Sequence, residues 1–579
     1  MPDTYTAAQI VKQLTTSWGG SLTGYTFGWS STLKTISYSI NTATPSNVSG
    51  LTPVEGGAFL VKMDALQAAT SALAFQLWDD LIAKSSGAQH RLVQTTSPAA
   101  KITLNYSSNT SGNGTYTQSF GTINNSTKQV TLGAEQVWLS SKWATNGDAG
   151  MSPGSYGLFT MIHEIGHSLG LSHPGDYNAG NGGTITYANN AVFTQDNRQY
   201  TVMSYFGGYL KGVGWQQDGT YSNYIYPQTM MVYDIAAIQA KYGVDTITRF
   251  NDTTYGFNCT LAAADPEKQI YDFSLNATPI YTIWDAGGID TLDCSGYAGN
   301  QTISLIPGTY SSVDGMIKNV AIAFNCVIES ATGGKGADTI TGGDGNNILT
   351  GGLGSDKMNG GNDSDIYIIN ASSEHTAAEI SDTGTTGTDE VRFSSLIKND
   401  TLTLFAGDTG IERIVIGTGT GSAAVTTGTT ALNVNASGVL NSLAIIGNAG
   451  ANTLIGSAYA DTLTGGAGAD KFVFNFLPSA SARDIITDFQ HGVDILQFSK
   501  SVFTKIATAL GTTLGATEFW SGPGVVAGHD SSDRIVYNTT TGNLYYDADG
   551  NGVGAAVVVA LIGITAHAAL TSTDMQVVA

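Results

Sequence analysis

Apolar and polar residues follow two different rhythms along this chain, and the change falls near Gly243. Before it, Thr35-Ile36-Ser37-Tyr38-Ser39-Ile40 alternates as a half-buried strand does. Between Asp64 and Lys84, Leu66, Leu73, Leu77 and Leu81 recur on one helical face, with Ala69 and Trp78 beside them. Short alternating strands follow at Lys101 to Tyr106 and Gln129 to Leu132. A second helix is predicted from Tyr156 to Gly170, burying Leu158, Met161, Ile162, Ile165 and Leu169. This order predicts a small α/β domain over residues 31–243. Residues 1–30, polar and glycine-containing, read as a pro-segment or linker.

Beyond Gly243 the period shortens to that of brief strands and turns, which predicts an all-β region. Four nonapeptides run in phase over residues 333–368: GGKGADTIT, GGDGNNILT, GGLGSDKMN and GGNDSDIYI. Three more, GNAGANTLI, GSAYADTLT and GGAGADKFV, cover 447–473. A flexible linker would not keep an aspartate and a buried aliphatic in nine-residue register. The glycine half of each unit turns and the apolar half makes a very short strand, so two units complete one turn of a parallel β-roll. Loops on one side then belong to alternate units, pairing Asp338 with Asp356, Asn347 with Asp365, and Asn452 with Asp470. Ca2+ fits between such loops, held by those side-chain oxygens and by backbone carbonyls. The carbonyls are those of Gly334, Gly336, Gly343, Gly345, Gly351, Leu353, Gly360, Asn362, Asn448, Gly450, Gly465 and Ala467. Asn347 and Asn452 stand where aspartate is usual and weaken their sites; Asp461 has no evident partner row. The regions predicted are a first roll at 244–370, a β-rich connecting segment at 371–446, and a second roll with a closing β-sandwich at 447–579. Asp547 and Asp549 fit either a further calcium site or a turn with solvated carboxylates.

Composition changes this picture only modestly. A chain of 579 residues is too long for one core, and 41% apolar content suffices for several. A net charge of -22 with no basic stripe excludes nucleic acid as a partner. The 72 glycines, many beside aspartates, make calcium binding the better account of that acidity. Three cysteines, Cys259, Cys294 and Cys326, form no disulfide framework, leave one bridge open, and read as buried or semi-buried thiols with no chemistry. No apolar run is long enough to span a bilayer, and the polar start at Met1 does not read as a signal peptide.

The chemistry sits in His163-Glu164-Ile165-Gly166-His167-Ser168-Leu169-Gly170-Leu171-Ser172-His173. His163 and His167, four apart on a helix, face one ion. Glu164 lies close enough to hold a water beside it. Gly170 supplies the left-handed turn that brings His173 back, and Pro174 stops the helix resuming. Three neutral nitrogens leave the fourth position of Zn2+ open, which marks a catalytic site. A methionine turn at Tyr200-Thr201-Val202-Met203-Ser204-Tyr205 completes the metzincin pattern.

With these motifs the chain resembles the serralysins, metzincin proteases that bacteria export with calcium-binding RTX repeats. The resembling stretches are 163–180, 200–206, 227–243 and 282–297, followed by the repeats. The resemblance implies a zinc endopeptidase with an α/β metzincin catalytic domain, followed by an all-β RTX roll and β-sandwich. It implies that Tyr205 ligates zinc at rest and moves to stabilise the oxyanion. A further calcium site is implied at Arg249, Asn251 and Thr253 with Asp285, Gly287 and Asp290, and Glu329 matches another calcium ligand. Implied partners are protein substrates and a type I secretion apparatus that reads an uncleaved C-terminal signal in a monomeric, extracellular protein. The rival is a cell-surface adhesion protein, whose rolls are its function and whose protease is tethered or vestigial. Substrate is expected to add to a sheet edge near Tyr116 to Phe120, with loops Gly180 to Arg198 and Gly207 to Tyr224 shaping specificity.

Overall fold

The computed structural model describes residues 2–42, 60–82, 90–97, 99–107, 115–140, 150–178, 184–207, 225–476 and 482–579. The expected specificity loop at 208–224, and positions 180–183 of its companion, lie outside the described residues. The chain divides into two compact units. The first holds Met1–Cys294 and Thr302–Ile328; the second holds Ser295–Gln301 and Glu329–Ala579.

The first unit is built on a mostly parallel sheet. Its strands lie in the order Thr26–Gly28, Gln129–Ser140, Ile102–Ser107, Thr35–Ile40, Arg91–Gln94. Leu60–Val61 pairs antiparallel with Ile102–Ser107, and Tyr116–Asn124 pairs antiparallel with Gln129–Ser140. Two long helices pack on it, α1 (Ala65–Asp79) and α2 (Tyr156–Ser168). Asp64 caps α1 in a reciprocal box with Gln67, satisfying amide donors that a first turn leaves over. Phe75 stacks on Tyr38 of the sheet at 3.8 Å, and the Trp78 indole N–H donates to the Ile162 carbonyl at 3.0 Å. Leu73, Leu77 and Leu81 are buried as the helical period requires. Leu66 is not: it sits in the first turn of α1 and faces solvent.

Residues 1–30, expected as a pro-segment or linker, contain a helix, Ala7–Thr16, whose Ile10 and Leu14 are fully buried in this unit. All three cysteines are buried free thiols.

The second unit is a stack of parallel rungs. One ladder runs through Ser330–Thr332, Ile348–Thr350, Ile366–Ile369, Glu390–Phe393, Arg413–Ile416, Ala444–Ile446, Thr462–Thr464 and Asp484–Ile486, each parallel to the last. Its register places Ala331, Leu349, Tyr367, Val391, Ile414, Ile445, Leu463 and Ile486 one above another, all buried. The second ladder stacks Leu402, Val434, Leu454, Phe472, Leu496 and Met575 in the same way. Residues 371–446 thus continue the first ladder and begin the second. A three-strand antiparallel meander, Ile535–Asn538, Asn543–Tyr546 and Val557–Ile562, lies in the closing region. Among the described residues no helix is long and apolar enough to cross a membrane.

One ionisable cluster sits inside this unit. His375 has no exposed side-chain surface; its Nδ1 lies 3.2 Å from Glu379 Oε2 and its Nε2 3.0 Å from Asp408 Oδ2. Burial alone would lower the imidazole pKa, but hydrogen bonds and charge from Asp408 and Glu379 outweigh it and raise it to about 9. A folded value above the unfolded one, about 6.5, gives stabilisation that is complete below about pH 6.5 and lost as pH rises through about 9. The thermal midpoint of the second unit should therefore fall from about pH 7 to about pH 10. His375→Gln should start lower and show a flatter fall, read by scanning calorimetry across that range.

Candidate functional site

α2 delivers His163, Glu164 and His167, and the chain turns at Gly170, whose φ of 85° is the left-handed conformation that brings His173 back. A Cβ on Gly170 would lie 2.4 Å from the Phe27 carbonyl oxygen, so close approach also demands glycine there. The three imidazoles converge: His173 Nε2 lies 3.2 Å from His163 Nε2 and 3.1 Å from His167 Nε2. Zinc held tetrahedrally at about 2.0–2.1 Å from each nitrogen would separate neighbouring nitrogens by about 3.3 Å. The donor set therefore fits a zinc-sized ion.

Each ring is aimed by its other nitrogen. Nδ1 of His163 lies 2.8 Å from Val202 O, that of His167 2.8 Å from Leu171 O, and that of His173 2.9 Å from Tyr177 O. A carbonyl only accepts, so every Nδ1 carries the proton and every Nε2 presents a lone pair. Burial keeps the rings neutral. With like-charge repulsion from His167 it pushes His163 down to about 3, and burial takes His167 to about 4. His173 is lowered well below its ordinary value by burial and by the charges of His167 and His163.

Glu164 is buried beside them, and its carboxyl is pushed up to about 7 by loss of solvent, against the opposing pull of a hydrogen bond from Thr117. Thr117 Oγ1 lies 2.8 Å from both Glu164 Oε2 and the Glu164 carbonyl oxygen. Thr117 belongs to Tyr116–Asn124, the strand expected to receive substrate. Tyr205 sits with its ring centroid 4.5 Å from that of His173 and 6.0 Å from that of His163. Thr117, Glu164, His167, His173 and Tyr205 line a cleft of about 570 Å³, together with Trp18, Thr115, Tyr116, Ser119, Asp176 and Tyr177.

Met203 is fully buried under the motif helix, where a Cβ on Gly166 would come within 2.8 Å of its sulfur. The turn that carries it is held by a residue the sequence did not single out. Asp234, fully buried, accepts from Thr201 Oγ1 at 2.5 Å, Val202 N at 2.7 Å and Met231 N at 2.9 Å. Its carboxyl is pushed up to about 7 by burial despite those three donors. Asp196 was also missed: its Oδ1 accepts from Tyr177 OH at 2.8 Å and Ser204 Oγ at 2.7 Å, linking the loop after His173 to the methionine turn. No metal-type spacing marks either residue; both act through backbone and hydroxyl contacts that only the fold creates.

The implied calcium residues of the first unit fall on two facing loops. Thr253 N donates to Asp290 Oδ1 at 2.7 Å, Gly287 N to Asp285 Oδ1 at 3.0 Å, and Thr253 Oγ1 to the Asn251 carbonyl at 2.9 Å. The Arg249 guanidinium is occupied by Glu267, Asp80 and the Trp284 carbonyl, so only its backbone is available to an ion.

In the second unit the expected pairs stand one turn apart. Asp338 N donates to Asp356 Oδ1 at 2.8 Å, Asn347 N to Asp365 Oδ1 at 2.7 Å, and Asn452 N to Asp470 Oδ1 at 2.7 Å. The remaining oxygens of Asp356, Asp365 and Asp470 are buried with no hydrogen-bond partner among the described residues. Burial raises all three carboxyls to about 7. Orphaned buried carboxylate oxygens are costly, and a divalent cation is what satisfies them. The two asparagines behave differently, because an amide can donate: Asn347 Nδ2 reaches the Glu329 carbonyl at 3.3 Å, and Asn452 Nδ2 reaches Leu432 O at 2.8 Å. The carbonyls of Gly334, Gly336, Gly343, Gly345, Gly351, Leu353, Gly360, Asn362, Asn448, Gly450, Gly465 and Ala467 all lie in the second unit.

Three carboxylates beyond the repeats join these rows. Asp382 and Asp389 stand with Asp365 close enough to share one ion. Asp461, which had no partner row in the sequence, accepts from Leu443 N at 2.7 Å, and its own amide donates to Asp484 Oδ1 at 3.0 Å. Asp484 lies 23 residues on, outside the repeat interval. That longer step hid the row.

Residues 244–415 match the family described as Peptidase M10 serralysin C terminal, and residues 446–475 match the RTX calcium-binding nonapeptide repeat (4 copies). The chain is similar to Serralysin G of Dickeya chrysanthemi, 36% identical over 285 residues, which is 48% of this chain and 54% of that protein. It is 40% identical to a serralysin of Proteus mirabilis over 233 residues, 39% of this chain and 43% of that protein. To Metalloprotease AprA of Pseudomonas entomophila it is 41% identical over 209 residues, 35% of this chain and 39% of that protein. The aligned stretches thus span 39% to 54% of these relatives' own length. The chain carries a serralysin-type C-terminal domain and RTX calcium-binding repeats, and the resemblance to serralysins expected from its sequence holds.

Asp234→Ala should strand two buried amide donors and the Thr201 hydroxyl, costing about 3 kcal/mol in chemical unfolding. Through Val202 it should also loosen His163, so the variant should lose bound metal at lower chelator concentration than the parent chain.

Proposed function

We propose that this chain is a secreted zinc endopeptidase whose repeat unit folds on calcium. The observation that carries the reading is the convergence of three Nε2 lone pairs, each imidazole locked by a backbone carbonyl, beside a buried carboxyl. His163, His167 and His173 would hold the zinc, with Tyr205 beside them. A bound zinc ion supplies Lewis acidity, polarising a peptide carbonyl and making water nucleophilic near neutral pH. Glu164 takes the proton from that water on its carboxylate and returns it to the leaving amine nitrogen. A buried carboxyl beside the three Nε2 atoms is placed for both transfers. Thr117 holds the Glu164 carboxyl in place. Tyr205, turning from its position against His173, donates its hydroxyl to the developing oxyanion.

Protein substrates lie extended along Tyr116–Asn124, which pairs with Gln129–Ser140 on one side and offers its other edge to a peptide. Calcium enters the second unit through Asp338, Asp356, Asp365 and Asp470, and the first through the backbone and carboxylates around Asn251, Thr253, Asp285 and Asp290. Export through a type I apparatus fits this dependence. Low cytoplasmic calcium leaves the carboxylates repelling one another, and extracellular calcium, bound at about 10⁻⁴ to 10⁻³ M, makes them ligands.

Glu164→Ala should retain one zinc per chain by elemental analysis yet lose peptide cleavage by about 10³-fold or more, measured on casein with and without 1,10-phenanthroline. Full cleavage by that variant would sink the assignment. Calcium chelation should melt the second unit before the first, seen as two separated transitions in circular dichroism. A single transition unmoved by the chelator would overturn the calcium reading.

A further inference from the structure

The fold spends its first twenty residues on the metal cleft. The helix Ala7–Thr16 ends with backbone carbonyls that need outside donors. Ser172 supplies two: its N–H reaches Leu14 O at 2.7 Å, and its hydroxyl lies 3.0 Å from Leu14 O and 3.1 Å from Gln13 O. The exchange is reciprocal, because the Ser17 hydroxyl donates to the carbonyl of His173 itself. Trp18 then stacks on Phe27 at 4.0 Å and stands 6.1 Å from His167, ring to ring, where it lines the cleft. Its indole N–H is buried with no partner among the described residues. A Cβ on Gly19 would lie 2.9 Å from Asp176 Oδ1, so the arm keeps close against the loop that follows His173.

A second anchor holds the arm's other end. Thr194 N donates to Asp3 O at 2.8 Å, Gln195 Nε2 donates to Tyr5 O at 2.8 Å, and Tyr5 stacks on Phe193 at 5.1 Å. Those partners immediately precede Asp196, which ties Tyr177 to Ser204. The arm therefore bridges two segments that carry the third histidine and the methionine turn.

We propose that residues 2–20 are a working part of the protease cleft, with Ser17 positioning the His173 ligand and Trp18 forming a wall against a side chain of the extended substrate. This rests on the zinc-endopeptidase reading. Loss of the Ser17 hydroxyl frees the backbone that carries His173, whose ring is aimed from the same short segment by the Tyr177 carbonyl. Outer contacts of this kind govern metal affinity by about 10-fold to 100-fold. Trp18 touches the space where substrate lies and no reacting atom, so its effect falls on substrate binding.

The test uses the full chain with calcium and zinc present. Ser17→Ala should give up zinc at about tenfold lower dipicolinate concentration than the parent chain. Trp18→Ala should keep zinc at the parent chelator concentration and raise KM for a fluorogenic casein-derived peptide by about tenfold, with kcat within about twofold. Trp18→Phe should recover most of that loss. Tyr5→Ala, which weakens the distant anchor, serves as the control for a merely structural arm. Parent-like zinc retention in Ser17→Ala together with parent-like KM in Trp18→Ala overturns the proposal. So does finding that both shifts follow the melting temperature and recur in Tyr5→Ala. A parent chain that binds no zinc sinks the protease reading itself, whereas an active parent with indifferent variants sinks only the role of the arm.

Discussion

Three hydrogen bonds from imidazole N–H groups to the carbonyls of Val202, Leu171 and Tyr177 carry the rest of the site. They settle the tautomer of each ring and set its orientation before any ion arrives. The carbonyls come from three separate stretches: a methionine turn, the tight bend after α2, and the loop beyond His173. The histidine cluster is thus the place where three backbone paths must agree. Asp234 and Asp196 enforce that agreement from behind, one holding the turn and the other joining the turn to the loop.

Burial gives the arrangement its chemical character. Removing solvent holds the imidazoles neutral and lifts the Glu164 carboxyl toward neutrality. The same force acts in the repeat unit, where it lifts Asp356, Asp365 and Asp470 and leaves one oxygen of each without a donor. In both units the protein sets aside electron pairs at a desolvation cost that a cation would offset.

Much of this was legible in the sequence because it is periodic or contiguous. The four-residue spacing of His163 and His167, the glycine at 170 and the nine-residue repeat all write geometry directly into the order of residues. The helix α2 ends at Ser168, two residues short of the predicted stop, since the last turn tightens before Gly170 reverses the chain. What stayed hidden depends on contacts between distant segments. Asp234 lies 32 residues from the amide it holds at Val202. Asp461 lies 23 residues from its partner. Leu66 fits a helical stripe by spacing, yet the first turn of α1 carries it out to solvent. The folded role of residues 2–20 had no signature either, because serine hydroxyls join them to 172 and 173 across 155 to 159 residues of chain.

The strand Met575–Val578 is the final rung of the second ladder, parallel to Ile495–Ser499. In a solenoid each rung leans only on its neighbours, so unravelling starts at an unprotected end and passes along the stack. Met575 closes the column that Leu402 begins, pairing beside Leu496. Met575–Val578 thus meets Ile495–Ser499 across 79 residues of chain, so this rung carries a larger loop-closure cost than the shorter steps before it.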